Sequence, residues 1–89
     1  MPRLEVIRSE VQRLVRAVPF RPFVLVMENG DRVLIGHPEN IAFEPASPQG
    51  TGGSEEFYVL TNRLRLFSTF GAVTSVSLAD PGDLTSGPA

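Results

Sequence analysis

The sequence predicts a mainly β protein of the α+β class, in which an N-terminal helix packs on a small, strongly bent antiparallel barrel of five to six strands. Three observations predict this fold. Apolar residues recur with a helical period from Arg3 to Val18, two apolar runs flank Asn29-Gly30, and the remaining chain alternates short β-branched runs with turn residues.

The helix is predicted from a single apolar stripe. Its residues follow the i, i+3, i+4, i+7 spacing of one helical face, and they are Leu4, Ile7, Val11, Leu14, Val15 and Val18. Two charged pairs stand at the spacing of exposed helix pairs, Glu5 with Arg8 and Glu10 with Arg13. Pro19 ends the helix. Because the stripe is narrow, the helix is expected to lie against a sheet or across the end of the barrel.

A hairpin is predicted around Asn29-Gly30, after the stiff connector PFRPF at 19–23. A two-residue turn would set Glu28 opposite Asp31, so a three-residue loop with a left-handed Gly30 is preferred. Both hairpin faces are apolar, and either the helix or a neighbouring subunit covers the outer one. The predicted interaction surface comprises Phe20, Phe23, Leu25, Val33 and Ile35.

The second half predicts three more strand regions. NIAFEP gives a short strand after Pro38, EEFYVLTNRLRLFST forms a hairpin that turns near Asn62, and a last strand runs from about Val73 to Leu78. The Gly/Ser/Pro-rich stretch 46–55 predicts a mobile loop, and 81–89 a disordered tail. Residues 1–80 then make a single domain.

Composition excludes several classes of function. There is no cysteine, which removes disulfides, thiolate nucleophiles and thiolate metal sites. Eight arginines against ten carboxylates give a net charge of −2, which disfavours a generic polyanion binder. No apolar stretch approaches the roughly 18 residues of a membrane span. We therefore expect no membrane partner, no cofactor and a cytoplasmic location.

His37 is the one histidine, and it begins the stretch HPEN. It could act as a base for a serine, with Glu39 or Glu44 as the orienting acid, or as a metal ligand beside Glu39. The candidate serines are Ser68, Ser75 and Ser77, and none stands in a nucleophile-elbow pattern. A metal would find only two ligands here. The preferred interpretation is structural, a proline-enforced break between two strands.

Arg63 and Arg65 alternate with leucines on one predicted strand. With Tyr58 or Phe67 nearby, they are the best candidates for contacts to nucleic acid, since arginines bind phosphates and aromatic rings stack on bases. Two arginines are few for this purpose, and exposed strand arginines are the common alternative.

The order of elements resembles the Sm-like fold, a helix followed by a small five-stranded barrel. The most similar segments are Val24–Gly36 and Ala72–Val76, which resemble the first Sm motif and the last strand of the hexameric bacterial RNA chaperones. Where those chaperones carry a Tyr-Lys-His signature for uridine-rich RNA, this chain has Thr69, Phe70 and Gly71. The resemblance implies the fold but not the RNA site.

PFRPF, NGDR and HPE together also resemble a set of short uncharacterised bacterial proteins with an R-P-F-x-P-F connector and a His-Pro-Glu stretch. That resemblance implies a shared fold and no established activity. The function we expect is a non-enzymatic interaction or assembly module, forming a homo-oligomer or binding a protein partner through an apolar surface or a sheet edge. The alternative is an Sm-like nucleic-acid-binding ring subunit.

Overall fold

The chain forms an N-terminal helix and six antiparallel strands, in a computed structural model that describes residues 3–44 and 52–80. The elements are α1 (Arg3–Arg16), β1 (Phe23–Met27), β2 (Arg32–Ile35), β3 (Ile41–Ala42), β4 (Glu56–Leu60), β5 (Arg65–Thr69) and β6 (Val73–Leu78). Two 3-10 turns, Pro38–Asn40 and Phe70–Ala72, precede β3 and β6. The α+β class is confirmed. None of the helices in these ranges has the length and apolar character needed to cross a membrane.

The strands form two three-stranded sheets, with the orders β2-β1-β6 and β3-β4-β5. We call them sheet A and sheet B. Within the described ranges the six strands form these two sheets, and the sheets do not close into one barrel. The predicted loop 46–55 lies largely outside the described residues, and the predicted tail 81–89 lies wholly outside them.

The first hairpin turns through three residues, which confirms the preferred loop. Met27 N donates to Asp31 O at 2.8 Å, and Gly30 N donates to Met27 O at 2.9 Å. Gly30 has a φ of +90°, the left-handed conformation that a glycine adopts without steric cost. Asp31 N also donates to Asn29 Oδ1 at 3.0 Å. The loop therefore avoids the like-charge pair that a two-residue turn would create.

Alternating side chains of β1 and β2 fill the core. Phe23, Leu25, Val33 and Ile35 are all buried within the chain, together with Met27. This corrects the predicted interaction surface, because four of its five residues are not accessible to a partner. The fifth residue, Phe20, is half-buried, and its ring centroid lies 6.1 Å from that of Phe23. The two-residue period of a strand divides its side chains between two faces. The face with the larger apolar side chains becomes the inner one, because burying them removes more apolar area from water.

Helix α1 covers the core with the predicted stripe, and Val11 and Leu14 are its buried members. It ends at Arg16, so Val18 lies outside the helix and is 95% exposed, contrary to the prediction. Pro19 disfavours helical backbone at the residue before it, which explains why the helix ends before Val18. Glu10 forms the predicted ion pair with Arg13 and raises the pKa of that guanidinium by hydrogen bonding and charge attraction.

Arg8, the predicted ion-pair partner of Glu5, instead contacts the chain next to sheet B. Arg8 is only 6% exposed, and its Nη1 donates to Ser54 O at 3.4 Å, just before β4. Its Nε is buried without a hydrogen-bond partner. A guanidinium in this position ties the helix to sheet B, at the cost of one unsatisfied polar group.

Candidate functional site

The HPEN stretch is a turn between the two sheets. β2 ends at Ile35, Pro38–Asn40 forms a 3-10 turn, and β3 begins at Ile41. His37 is exposed, and its backbone N donates to Asn40 Oδ1 at 3.0 Å. Its carbonyl accepts from Asn40 N, also at 3.0 Å. The structural interpretation of this stretch is confirmed, because the chain leaves one sheet here and enters the other.

The candidate metal ligands and serine partners of His37 all lie in the part of the chain that the structure describes. There, no three His, Asp or Glu residues come together as a metal site. Ser68 lies on β5, whereas Ser75 and Ser77 lie on β6, and no hydrogen bond joins His37 to any of the three among the described residues.

The side chain of Asn40, rather than that of His37, makes the side-chain hydrogen bonds of this turn. Its Nδ2 donates to Leu60 O at 3.1 Å, so one amide connects the turn with the end of β4. We expect Asn40→Ala to lower the free energy of unfolding by about 1–2 kcal/mol, because two hydrogen bonds are lost. His37→Gln should change it by less than about 0.5 kcal/mol. Urea denaturation measures both, and equal effects would contradict the assignment.

The outer face of sheet B gathers several of the predicted site residues. Phe57 and Val59 point into the core, so the residues that alternate with them on β4 point outward. In register, Ala42 pairs with Tyr58, which pairs with Phe67. We define the β4–β5 face as Ala42, Glu56, Tyr58, Leu60, Arg65, Phe67 and Thr69.

Two large apolar side chains are exposed on this face. Phe67 is 68% exposed, and Leu60 is 51% exposed on the neighbouring strand. Tyr58, directly opposite Phe67, is half-buried. Directly opposite residues in an antiparallel pair lie about 4.5–5.5 Å apart at Cβ, so the two rings form one continuous surface. Single exposed apolar residues are ordinary, but a contiguous group indicates a binding surface.

Charges of opposite sign lie at the two ends of the β4–β5 face. Arg65 stands at the β4–β5 turn end, with Arg63 in the turn itself. Glu56 stands at the other end, and Ser54 holds Glu44 beside it by accepting from Glu44 N and donating to Glu56 O. None of these four charged side chains forms an ion pair within the described ranges.

One edge of β5 has no strand beside it among the described residues. Thr61 N donates to Leu64 O and Phe70 N to Glu55 O, which fixes the alternation of the β4–β5 ladder. Since bonded and non-bonded pairs alternate in an antiparallel ladder, the intervening residues of β5 direct their backbone N–H and C=O groups outward. Those residues are Arg65, Phe67 and Thr69.

A groove of about 470 Å³ lies between the first hairpin tip and the inner side of β5. Met27, Leu64 and Leu66 form its apolar walls, and Glu28 and Asp31 contribute carboxylates. The side-chain amide of Asn29 donates to Asp31 Oδ2 at 3.1 Å, so the Asp31 carboxylate takes part in the turn. Both carboxylates therefore belong to exposed residues of the hairpin loop.

Of the predicted nucleic-acid residues, the structure brings Tyr58 and Arg65 onto one face and leaves Arg63 in the turn. Phe67 is the more exposed of the two large apolar residues on that face. It stands two residues after Arg65, and this alternation is the sequence signal that places both on the outer side of the strand. No family model, curated protein or solved structure matches this chain significantly. The functional proposal therefore depends on the residues themselves.

Proposed function

We propose that this protein is a non-enzymatic interaction or assembly module that binds a protein through the β4–β5 face. One observation carries the proposal: Phe67, 68% exposed, stands in register with Tyr58 and Ala42 across all three strands of sheet B. Aromatic side chains that are exposed in the free protein are the usual anchors of protein interfaces. Covering them removes apolar area from water at roughly 25 cal/mol per Å².

The proposal includes the finer description of the fold, a strongly bent Sm-like barrel. One feature supports it. β2 passes into β3 through one short turn at Pro38–Asn40, so a single bent segment links both sheets. Separately, no described strand pairs with the outer edge of β5, and an open edge offers a second route to association.

Site-specific photo-crosslinking tests the proposed function. Benzoylphenylalanine replaces Phe67 in one variant and Ser75 in another, because Ser75 is exposed on β6 of the other sheet. Irradiation in cells that produce the protein should give covalent protein adducts from position 67 and not from position 75. Absence of adducts at 67, or equal adducts at both positions, would overturn the proposal.

A second candidate function is a nucleic-acid-binding ring subunit of Sm-like type. The observation that favours it is the placement of Tyr58, Phe67 and Arg65 on one face, since base stacking on aromatic rings next to arginine is typical of single-strand binding. It predicts that a labelled single-stranded RNA binds at low salt. Replacing both Arg63 and Arg65 by alanine should weaken binding and reduce its salt dependence. Unchanged anisotropy of the RNA at low salt would exclude this function.

A further inference from the structure

We propose that the partner of the β4–β5 face is a second copy of this chain, in a two-fold symmetric dimer that stacks the two faces. This inference rests on the proposed function and adds the identity of the partner. It is carried by the distribution of charge along the face, which is complementary to itself when one copy is reversed.

The face consists of three cross-strand rows. The acidic row contains Glu56 and Thr69, the apolar row contains Ala42, Tyr58 and Phe67, and the basic row contains Leu60 and Arg65. Neighbouring rows are two residues apart along each strand, or about 7 Å. The apolar row therefore lies in the middle, with opposite charges on either side.

A two-fold axis that stacks two sheets must lie between them and parallel to their planes. If the axis follows the strands, the acidic row of each copy meets the acidic row of the other. If the axis follows the apolar row, the strands run in opposite directions, the apolar rows meet, and each acidic row meets a basic row. Only the second arrangement pairs opposite charges, so the symmetry of the dimer follows from the charge pattern.

The second arrangement places Arg65 within reach of Glu56 of the second copy. Stacked sheets are about 10 Å apart and neighbouring strands about 4.8 Å, which sets the two Cα atoms about 11 Å apart. An extended arginine and an extended glutamate together span that separation. By symmetry the contact occurs twice in each dimer.

The charge pattern also distinguishes this occupant from others. A polyanion would meet Glu56 at one end of the face, and a polycation would meet Arg65 at the other. The face comprises seven residues, fewer than the roughly 20–30 residues that each partner contributes to a standard interface, so we expect a weak dimer with a micromolar dissociation constant.

A charge-exchange experiment tests the dimer. In Arg65→Glu each contact becomes Glu against Glu, and in Glu56→Arg each becomes Arg against Arg. Either variant alone should dimerise about tenfold more weakly than the wild type in sedimentation equilibrium, because two exposed contacts change from attraction to repulsion. When the two variants are mixed in equal amounts, both contacts of the heterodimer join opposite charges, and wild-type affinity should return.

A mixture that associates no more tightly than its separate components would overturn the inference. Its failure is distinguishable from failure of the proposed function. If the mixture fails while the crosslinker at position 67 still joins a different protein, the dimer is excluded and the interaction module stands. If the crosslinker captures no protein, both are excluded.

Discussion

Replacing Phe70 by alanine is expected to lower the free energy of unfolding by about 3–5 kcal/mol, the usual cost of removing a buried aromatic ring. Phe70 is fully buried in the 3-10 turn between β5 and β6. Its ring lies 4.9 Å from that of Phe57 and 5.3 Å from that of Phe43, measured between centroids. Since small domains are stable by only about 5–15 kcal/mol, this substitution should remove a large fraction of the protein's stability.

Urea denaturation followed by circular dichroism measures this loss, and the chain offers a matched control. Phe67 lies three residues before Phe70 and carries the same side chain, but it is exposed. Phe67→Ala should change the unfolding free energy by no more than about 0.5 kcal/mol, as is usual for surface positions. Equal losses from both substitutions would show that the assignment of buried and exposed rings is wrong.

Phe67→Asp is expected to raise the dimer dissociation constant by about 30-fold or more, which corresponds to about 2 kcal/mol at an interface anchor. The carboxylate would lie at the β5 end of the apolar row, where it faces the same row of the second copy and stacking removes it from water. Sedimentation equilibrium measures the constant. Val18→Asp is the control, because Val18 is an exposed apolar residue away from the face and should leave association unchanged. An identical dissociation constant for Phe67→Asp and wild type would exclude the β4–β5 face.

Local signals in the sequence predict the elements of this fold well. Asn29-Gly30 predicts the first hairpin and even its three-residue loop, since only a residue that tolerates positive φ fits at Gly30. Pro38 likewise predicts the break between β2 and β3. In both cases the determining interaction lies within a few residues of the signal.

The sequence predicts the surface less well, because exposure depends on packing between distant elements. Phe23 and Val24 lie on opposite faces of β1, yet both are buried, at 0% and 1% exposure. The period of 2 assigns residues to faces but does not say which face the helix or the other sheet will cover. Arg8 shows the same limit, since the helix spacing predicts a pair with Glu5 and the fold instead buries it beside Ser54.

The central claim is that this protein associates through the outer face of sheet B, and an NMR dilution series on the wild-type chain tests it most directly. As concentration rises through the micromolar range, the amide signals that shift should be those of the β4–β5 face, with Tyr58, Leu60 and Phe67 foremost. The amides of the first hairpin, including Gly30 and Asp31, should stay constant. Shifts confined to that hairpin, or no shifts at any concentration, would contradict the account.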